Sequence, residues 1–90
     1  MGFFKAAFSA LSMATTGKVI TQIDTPIMDS RCQISLRLKR KDDDSDAYVV
    51  LAGIARGNYQ FYAMHADEFT RFADAVQTIK SELSNLNRRR

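Results

Sequence analysis

The sequence predicts an α+β fold: a short N-terminal helix, then a four-stranded antiparallel curved sheet, then a long C-terminal helix packed on one face of that sheet. Three observations support it. Apolar residues recur at helical spacing near the start, β-branched or alternating runs separated by turn signals fill the middle, and a long apolar stripe follows. Ninety residues form a single domain with a thin core. We expect its parts to be an amphipathic N-terminal helix at 1–16, the sheet at 18–65, the C-terminal helix at 66–87 and a basic tail at 88–90.

The first segment, MGFFKAAFSALSMATTGK, predicts an amphipathic helix from about residue 2 to about residue 14. The apolar residues at helical spacing are Phe4, Ala7, Phe8 and Leu11. The run is too short for a membrane span, which needs about 20 apolar residues, and we expect a cytoplasmic protein. A mitochondrial location is the alternative if residues 1–20 act as a presequence, since no acidic residue precedes Asp24.

Four runs in the middle of the chain have the composition of strands. KVITQID is β-branched, and we expect Pro26 to end it because proline cannot donate to a sheet ladder. CQISLRLKR alternates apolar and polar residues, and AYVVLAGIAR is apolar on both faces. YQFYAM is the predicted strand that follows it in a hairpin. The acidic run DDDSD predicts the turn between the second and third strands, and Gly57–Asn58 predicts a two-residue hairpin turn.

Turn lengths decide which side chains share a face of the sheet. A five-residue acidic loop places Lys41 opposite Ala47. The face that we expect under the C-terminal helix then collects Ile34, Leu36, Leu38, Val50, Ala52, Ile54, Phe61 and Ala63. The open face collects Gln33, Ser35, Arg37, Lys39, Val49, Leu51, Gly53, Ala55, Gln60, Tyr62 and Met64. A loop one residue shorter would change the partners on the third strand, an alternative that stays open, but Arg37 and Lys39 would still face away from the helix.

The last segment carries an apolar stripe at spacings of three, four, three, four and three, which indicates a helix of about six turns. The stripe consists of Phe69, Phe72, Val76, Ile79, Leu83 and Leu86. Acidic Asp67 and Glu68 fall in the first turn, where the helix dipole favours them, and His65 is the predicted cap with Glu68 three positions later. A coiled-coil seam is the weaker alternative, because regular flanking charge pairs are missing.

Catalytic and metal chemistry find little support in the sequence. The single cysteine, Cys32, cannot form an internal disulfide, and the single histidine, His65, has no partner at metal-ligand spacing. The acidic run matches part of a calcium loop, but Ala47 and Gly53 stand where that loop needs glycine and glutamate. We therefore expect no enzyme, no catalytic residue, no bound metal and no cofactor.

The open face combines cations with aromatic residues, and this combination predicts single-stranded DNA or RNA binding. A net charge of +3 and a pI near 9.3 favour anionic partners. Cations would contact phosphates, Tyr62 would stack a base, and Arg56 and Tyr59 would lie at the hairpin rim. The predicted nucleic-acid-binding residues are Arg37, Lys39, Lys41, Arg56, Tyr59 and Tyr62. A solvated face or a self-association face is an equally weighted alternative, because basic strand residues also prevent edge pairing.

From about Arg31 onward, the chain resembles the PUR-domain proteins and their architectural relatives, the Whirly proteins and the positive-cofactor transcriptional coactivators. The stretch NYQFYAMHADEFTRFADAVQTIKSEL carries the resemblance, with a strand, a capping position at His65, an aromatic at Phe69 and the apolar stripe. Those families place a curved four-stranded antiparallel sheet before a helix, dimerise and bind single-stranded nucleic acid, so the resemblance implies a homodimer. With its leading helix, the chain also looks like the small Alu-RNA-binding subunits of the signal recognition particle.

Two functions follow as hypotheses. The first is a non-catalytic, homodimeric module that binds single-stranded nucleic acid on the open face of its sheet. The second is a small interaction or assembly subunit that docks onto a protein partner through its sheet face or through the segment with Phe3, Phe4 and Phe8. Salt distinguishes them, because phosphate contacts are screened and apolar burial is not.

Overall fold

The computed structural model describes residues 13, 14 and 16–88. Its elements are strand β1 at Lys18–Ile27, strand β2 at Cys32–Arg40, strand β3 at Tyr48–Ala55, strand β4 at Asn58–Met64 and helix α1 at Ala66–Arg88. The predicted antiparallel four-stranded sheet and C-terminal helix are confirmed, whereas the sheet is not strongly curled, so the predicted curvature is wrong. The predicted N-terminal helix lies outside the described residues, except for Met13 and Ala14, which have helical conformation.

The four strands form one sheet in the order β1-β2-β3-β4, with every neighbouring pair antiparallel. The first strand is longer than the sequence predicts, because it continues through Pro26 to Ile27. β1 lies at the edge of the sheet, where a proline without an N–H costs no ladder bond if its nitrogen faces solvent. The three following residues, Met28, Asp29 and Ser30, all have positive φ, which makes this a tight connection.

The register between β2 and β3 differs from the predicted one by one residue. Lys39 pairs with Tyr48 and Leu38 with Val49, so β3 turns its faces over relative to the prediction. The cause lies in the acidic loop, where the Asp42 carboxylate accepts hydrogen bonds from the Asp44 N–H (3.0 Å) and the Ser45 hydroxyl (2.8 Å). This local turn, which side-chain acceptors typically stabilise, determines where β3 begins.

The hairpin between β3 and β4 also turns one residue earlier than predicted. Ala55 pairs with Asn58, and the turn residues are Arg56 and Gly57 rather than Gly57 and Asn58. Both have positive φ, 49° and 81°, as the favoured two-residue hairpin turns require. The shift preserves which residues of β3 and β4 share a face.

Helix α1 begins with the predicted capping interaction. The His65 N–H donates to the Glu68 carboxylate at 2.9 Å, and the Phe69 N–H donates to the His65 carbonyl at 2.9 Å. Asp67 and Glu68 occupy the first turn and Arg88 the last, in accord with the helix dipole. Of the predicted basic tail, only Arg88 is described, and it ends the helix. Within the described chain, no helix is long and apolar enough to cross a membrane.

Candidate functional surfaces

The sheet has two faces, which we name by their β2 residues. The leucine face carries Ile34, Leu36 and Leu38 of β2, beside Ile23 of β1. From β3 and β4 it also carries Val49, Leu51, Gly53, Gln60, Tyr62 and Met64. The arginine face carries Ser35, Arg37 and Lys39, with Asp24 of β1 and with Tyr48, Val50, Ala52, Ile54, Tyr59, Phe61 and Ala63. The predicted faces were therefore wrong for β3 and β4.

One half of the arginine face is covered by the residues that precede β1. Ala14, Tyr48 and Val50 form a buried cluster, and Met13, Phe61 and Ala63 pack against it. Val50 and Ala52 are fully buried, because they lie in the central strand under this contact. Most of the core of the described chain thus lies on the arginine face, whereas Val49 is buried on the face beside α1.

Lys39 is the residue that differs most from its predicted setting. Its side chain is only 4% exposed, and its ammonium donates to the backbone carbonyls of Ala14 (2.8 Å) and Met13 (3.3 Å). The Tyr48 hydroxyl lies 2.9 Å from the same Met13 carbonyl. We call this the carbonyl clamp: Lys39 and Tyr48 donate to the Met13 and Ala14 carbonyls, as side chains do at helix ends, where the last carbonyls need partners from outside the helix.

Burial explains the electrostatics of the carbonyl clamp. Loss of hydration lowers the pKa of the Lys39 ammonium below its usual 10.5, and the nearby Arg37 charge adds to the effect. The two carbonyl acceptors offset part of the desolvation cost of the charge, since hydrogen bonds to charged groups are the stronger kind. Lys39 therefore holds the chain before β1 against the sheet and is not available to a phosphate in this conformation.

The other half of the arginine face carries a linked polar and aromatic cluster. The Ser35 hydroxyl donates to the Asp24 carboxylate at 2.6 Å and accepts from Nε of Arg37 at 3.2 Å. The Arg37 guanidinium carbon lies 6.0 Å from the centre of the Phe61 ring, and the Phe61 ring stacks on Tyr59 at 6.0 Å with 10° between the planes. We call Arg37, Phe61 and Tyr59 the cation–aromatic cluster. The Ser35 hydrogen bond lowers the pKa of the Asp24 carboxyl below 3.8.

The leucine face and helix α1 leave a large apolar surface uncovered. Within α1, all of which the structure describes, no residue is buried. Phe69 meets the sheet, where it lines a groove of about 240 Å³ with Thr21, Ile23, Leu36, Leu38 and Val49. Beyond it the stripe is exposed, from 39% at Phe72 to 67% at Leu86. On the sheet, Ile23 is 59% exposed and Leu38 38%. The C-terminal helix was predicted to pack on one face of the sheet; it contacts that face through Phe69, and the rest of its stripe is exposed.

The six predicted nucleic-acid-binding residues are not brought together on one surface. Arg37 and Tyr59 share the arginine face, whereas Tyr62 lies on the leucine face, 56% exposed. Lys41 is exposed in the acidic loop and Arg56 is exposed in the β3–β4 turn. Phe61, which the prediction placed under the helix, instead joins Arg37 and Tyr59. The signal for it was present in the sequence, because Tyr59 and Phe61 are two residues apart on one strand and must share a face.

The described residues contain no cluster of three or more histidine, cysteine or acidic side chains placed to hold a metal ion. Cys32 is a free, half-buried thiol. No protein-family model matches the chain, and neither a curated protein nor a solved structure is significantly similar to it. The resemblance to the PUR-domain and Whirly folds stays a prediction.

Proposed function

We propose that the protein is a non-catalytic interaction module that docks onto another polypeptide through the leucine face and the apolar stripe. One observation carries this: a 23-residue helix displays six regularly spaced apolar side chains of which none is buried. Monomeric soluble proteins rarely leave contiguous apolar patches of more than a few hundred Å² in water. The exposed stripe of α1 adjoins the leucine face, because Phe69 belongs to the stripe and also lines the groove on that face.

Native mass spectrometry of the protein isolated from its host tests this proposal. We expect a stoichiometric protein complex that persists at about 1 M salt, where charge contacts are screened over about 3 Å. Val76→Glu should abolish it, because the substitution places a carboxylate in the apolar contact, whereas Gln77→Glu on the neighbouring side of the helix should not. A protein that is free of any polypeptide partner at all salt concentrations contradicts the proposal.

A second candidate function is single-stranded nucleic-acid binding, which the cation–aromatic cluster favours. Arg37 is pre-positioned by Ser35 and Phe61, and the exposed Tyr59 ring offers a flat face 57% open to solvent. A guanidinium beside aromatic rings suits a phosphate beside a base, since bases stack on aromatic side chains without strong sequence preference. This candidate uses Arg37 and Tyr59 from the predicted set, with Lys41 and Arg56 as outlying cations, and adds Phe61.

Fluorescence anisotropy with labelled single-stranded oligonucleotides, measured over a series of salt concentrations, tests the second candidate. Tyr59→Ala should weaken binding by about 1–3 kcal/mol through lost stacking, and Arg37→Ala should reduce the log–log salt slope by about 0.7. The matched control is Tyr62→Ala, an equally exposed tyrosine on the opposite face. Equal losses from Tyr59→Ala and Tyr62→Ala, or salt-independent binding, would count against this surface.

A further inference from the structure

We infer that the partner covering the apolar stripe is a second copy of this chain, with the two α1 helices side by side and antiparallel. This inference rests on the proposed interaction function and names its occupant. Three properties of the chain support it: the amount of surface left uncovered, the spacing of the stripe, and the charges that flank it.

The chain exposes more surface than a compact monomer of its size. Its accessible surface is 7449 Å², whereas a folded monomer of this mass is expected to expose about 5,300 Å². Its radius of gyration is 15.5 Å, against about 12 Å for a compact domain of the same length. The excess, about 2,000 Å², exceeds the roughly 800 Å² that each partner buries in a standard stable interface. The uncovered surface is therefore large enough for a stable interface with a second copy of the chain.

The stripe has the spacing of a surface that pairs with another helix. Its alternating steps of three and four residues average 3.5, the repeat that keeps an apolar seam facing a neighbouring helix. Six residues at this spacing cover nearly the whole 23-residue helix, so that two copies can interdigitate along about 25 Å. In a dimer with twofold symmetry, the stripe of each copy covers the stripe of the other.

The flanking residues favour the antiparallel orientation. In an antiparallel pair, Val76 of one helix lies level with Ile79 of the other. Each residue that borders the stripe on one side then faces a residue that borders it on the same side in the second copy. Lys80 then faces Ala73 of the second copy, and Glu82 faces Ala75, so no two like charges meet. The acidic first turn of each helix also lies level with the basic last turn of the other, and the two helix dipoles oppose. A parallel pair would instead align the acidic turns.

Size-exclusion chromatography with light scattering tests the inference on the full chain, purified without nucleic acid or other proteins. We expect twice the mass of 10.2 kDa, with Ile79→Glu reducing it to the monomer mass and Ser81→Glu, on the opposite side of α1, leaving it unchanged. If Ile79→Glu lowers solubility, dilution of the unmodified protein gives the same information, because a dimer shows a midpoint of thermal unfolding that rises with concentration.

Disulfide trapping distinguishes the orientation. In a Cys32→Ser background, Leu86→Cys near the end of α1 should not form a disulfide between copies, because antiparallel ends are far beyond the 7 Å limit between Cα atoms. A mixture of the Val76→Cys and Ile79→Cys variants should form one between unlike copies, because these two positions lie level across the antiparallel pair. A disulfide through position 86 overturns the antiparallel arrangement. If the protein is a monomer at every concentration but binds a different protein through the apolar stripe, the homodimer is overturned and the proposed interaction function stands. If it is a monomer and binds no other protein, both are overturned.

Discussion

Strand β3 and helix α1 are both rich in apolar residues, yet the chain buries one and not the other. Tyr48, Val49, Val50 and Ala52 of β3 are buried, and Val50 is inaccessible to solvent. In α1, where the structure describes every residue, none is buried. β3 lies between two strands and under Met13 and Ala14, whereas α1 meets the sheet only near its start. An apolar pattern therefore indicates which side of an element is covered, without indicating which chain supplies the cover.

The largest effect should come from the glycine before β1. A Cβ at Gly17 would lie 2.7 Å from the Tyr48 hydroxyl and 3.2 Å from the Arg40 carbonyl, at a φ of +82°. Gly17→Ala should therefore lower the free energy of unfolding by about 3 kcal/mol, because backbone strain of about 1–2 kcal/mol adds to displacement of the carbonyl clamp. Gly57→Ala, at φ +81° in open space, is the matched control and should cost only the strain. Equal losses in urea denaturation would show that the contact with Tyr48 contributes nothing.

A valine-to-alanine substitution in each of the two regions measures how strongly each valine is covered. Val50→Ala should lower the free energy of unfolding by about 2 kcal/mol at any protein concentration, since it removes two buried carbons and leaves a cavity. Val76→Ala should cost less than about 0.5 kcal/mol in dilute protein and more in concentrated protein, where the second copy covers the site. Denaturation at two protein concentrations measures both. A concentration-independent loss at Val76 would mean that the chain itself covers the apolar stripe.

The next largest loss of stability should follow from removal of the charge in the carbonyl clamp. Lys39→Met should lower the free energy of unfolding by about 1.5 kcal/mol, because hydrogen bonds to two carbonyls are lost while the hydrocarbon stem is kept. Lys41→Met, in the exposed acidic loop, is the control and should change stability by less than about 0.5 kcal/mol. Hydrogen exchange should also show faster opening near residue 14 in Lys39→Met alone. If both variants behave alike, Lys39 does not hold the preceding segment.

The smallest expected effect is a loss of stability at low pH. Hydrogen bonds from Ser35 and Ser45 lower the pKa values of the Asp24 and Asp42 carboxyls, respectively. A carboxyl whose folded pKa is depressed stabilises the fold above its unfolded pKa, near 3.9, and this stability is lost as pH falls through the folded value. Denaturation midpoints should therefore decrease below about pH 4, and Ser35→Ala should reduce that decrease, whereas Ser84→Ala on α1 should not. An unchanged acid profile in Ser35→Ala would remove Asp24 from the account.

Local periodicity was enough to predict the four strands and the C-terminal helix, whereas register and burial depended on the loops and on contacts distant in sequence. The alternation in β2 and the 3-4 spacing of α1 correctly indicated a strand and a helix, because each follows from the geometry of one segment. The register of β3 depended on hydrogen bonds to Asp42 in the loop, which alternation does not encode. The burial of Lys39 depends on carbonyls 25 and 26 residues earlier, so a cation on a polar strand face was interpreted as solvated.

The cation–aromatic cluster shows the same limit within the candidate site. Arg37 was predicted to face away from α1, and it does, but its aromatic neighbour was predicted to be Tyr62 when the paired register places Phe61 there. A shift of one residue exchanges the two faces of a strand. The sequence was enough to predict the types of residue in a binding surface. Which of them lie side by side depends on the strand register, which the sequence did not reveal.

Thiol labelling along the apolar stripe shows whether a second copy of the chain covers that side of α1. In a Cys32→Ser background, Ile79→Cys and Ser81→Cys place one thiol on each side of α1, and their rates of maleimide labelling can be compared at low and high protein concentration. The account predicts equal rates in dilute protein and strong protection at position 79 alone in concentrated protein. Equal labelling of both thiols at every concentration would contradict it.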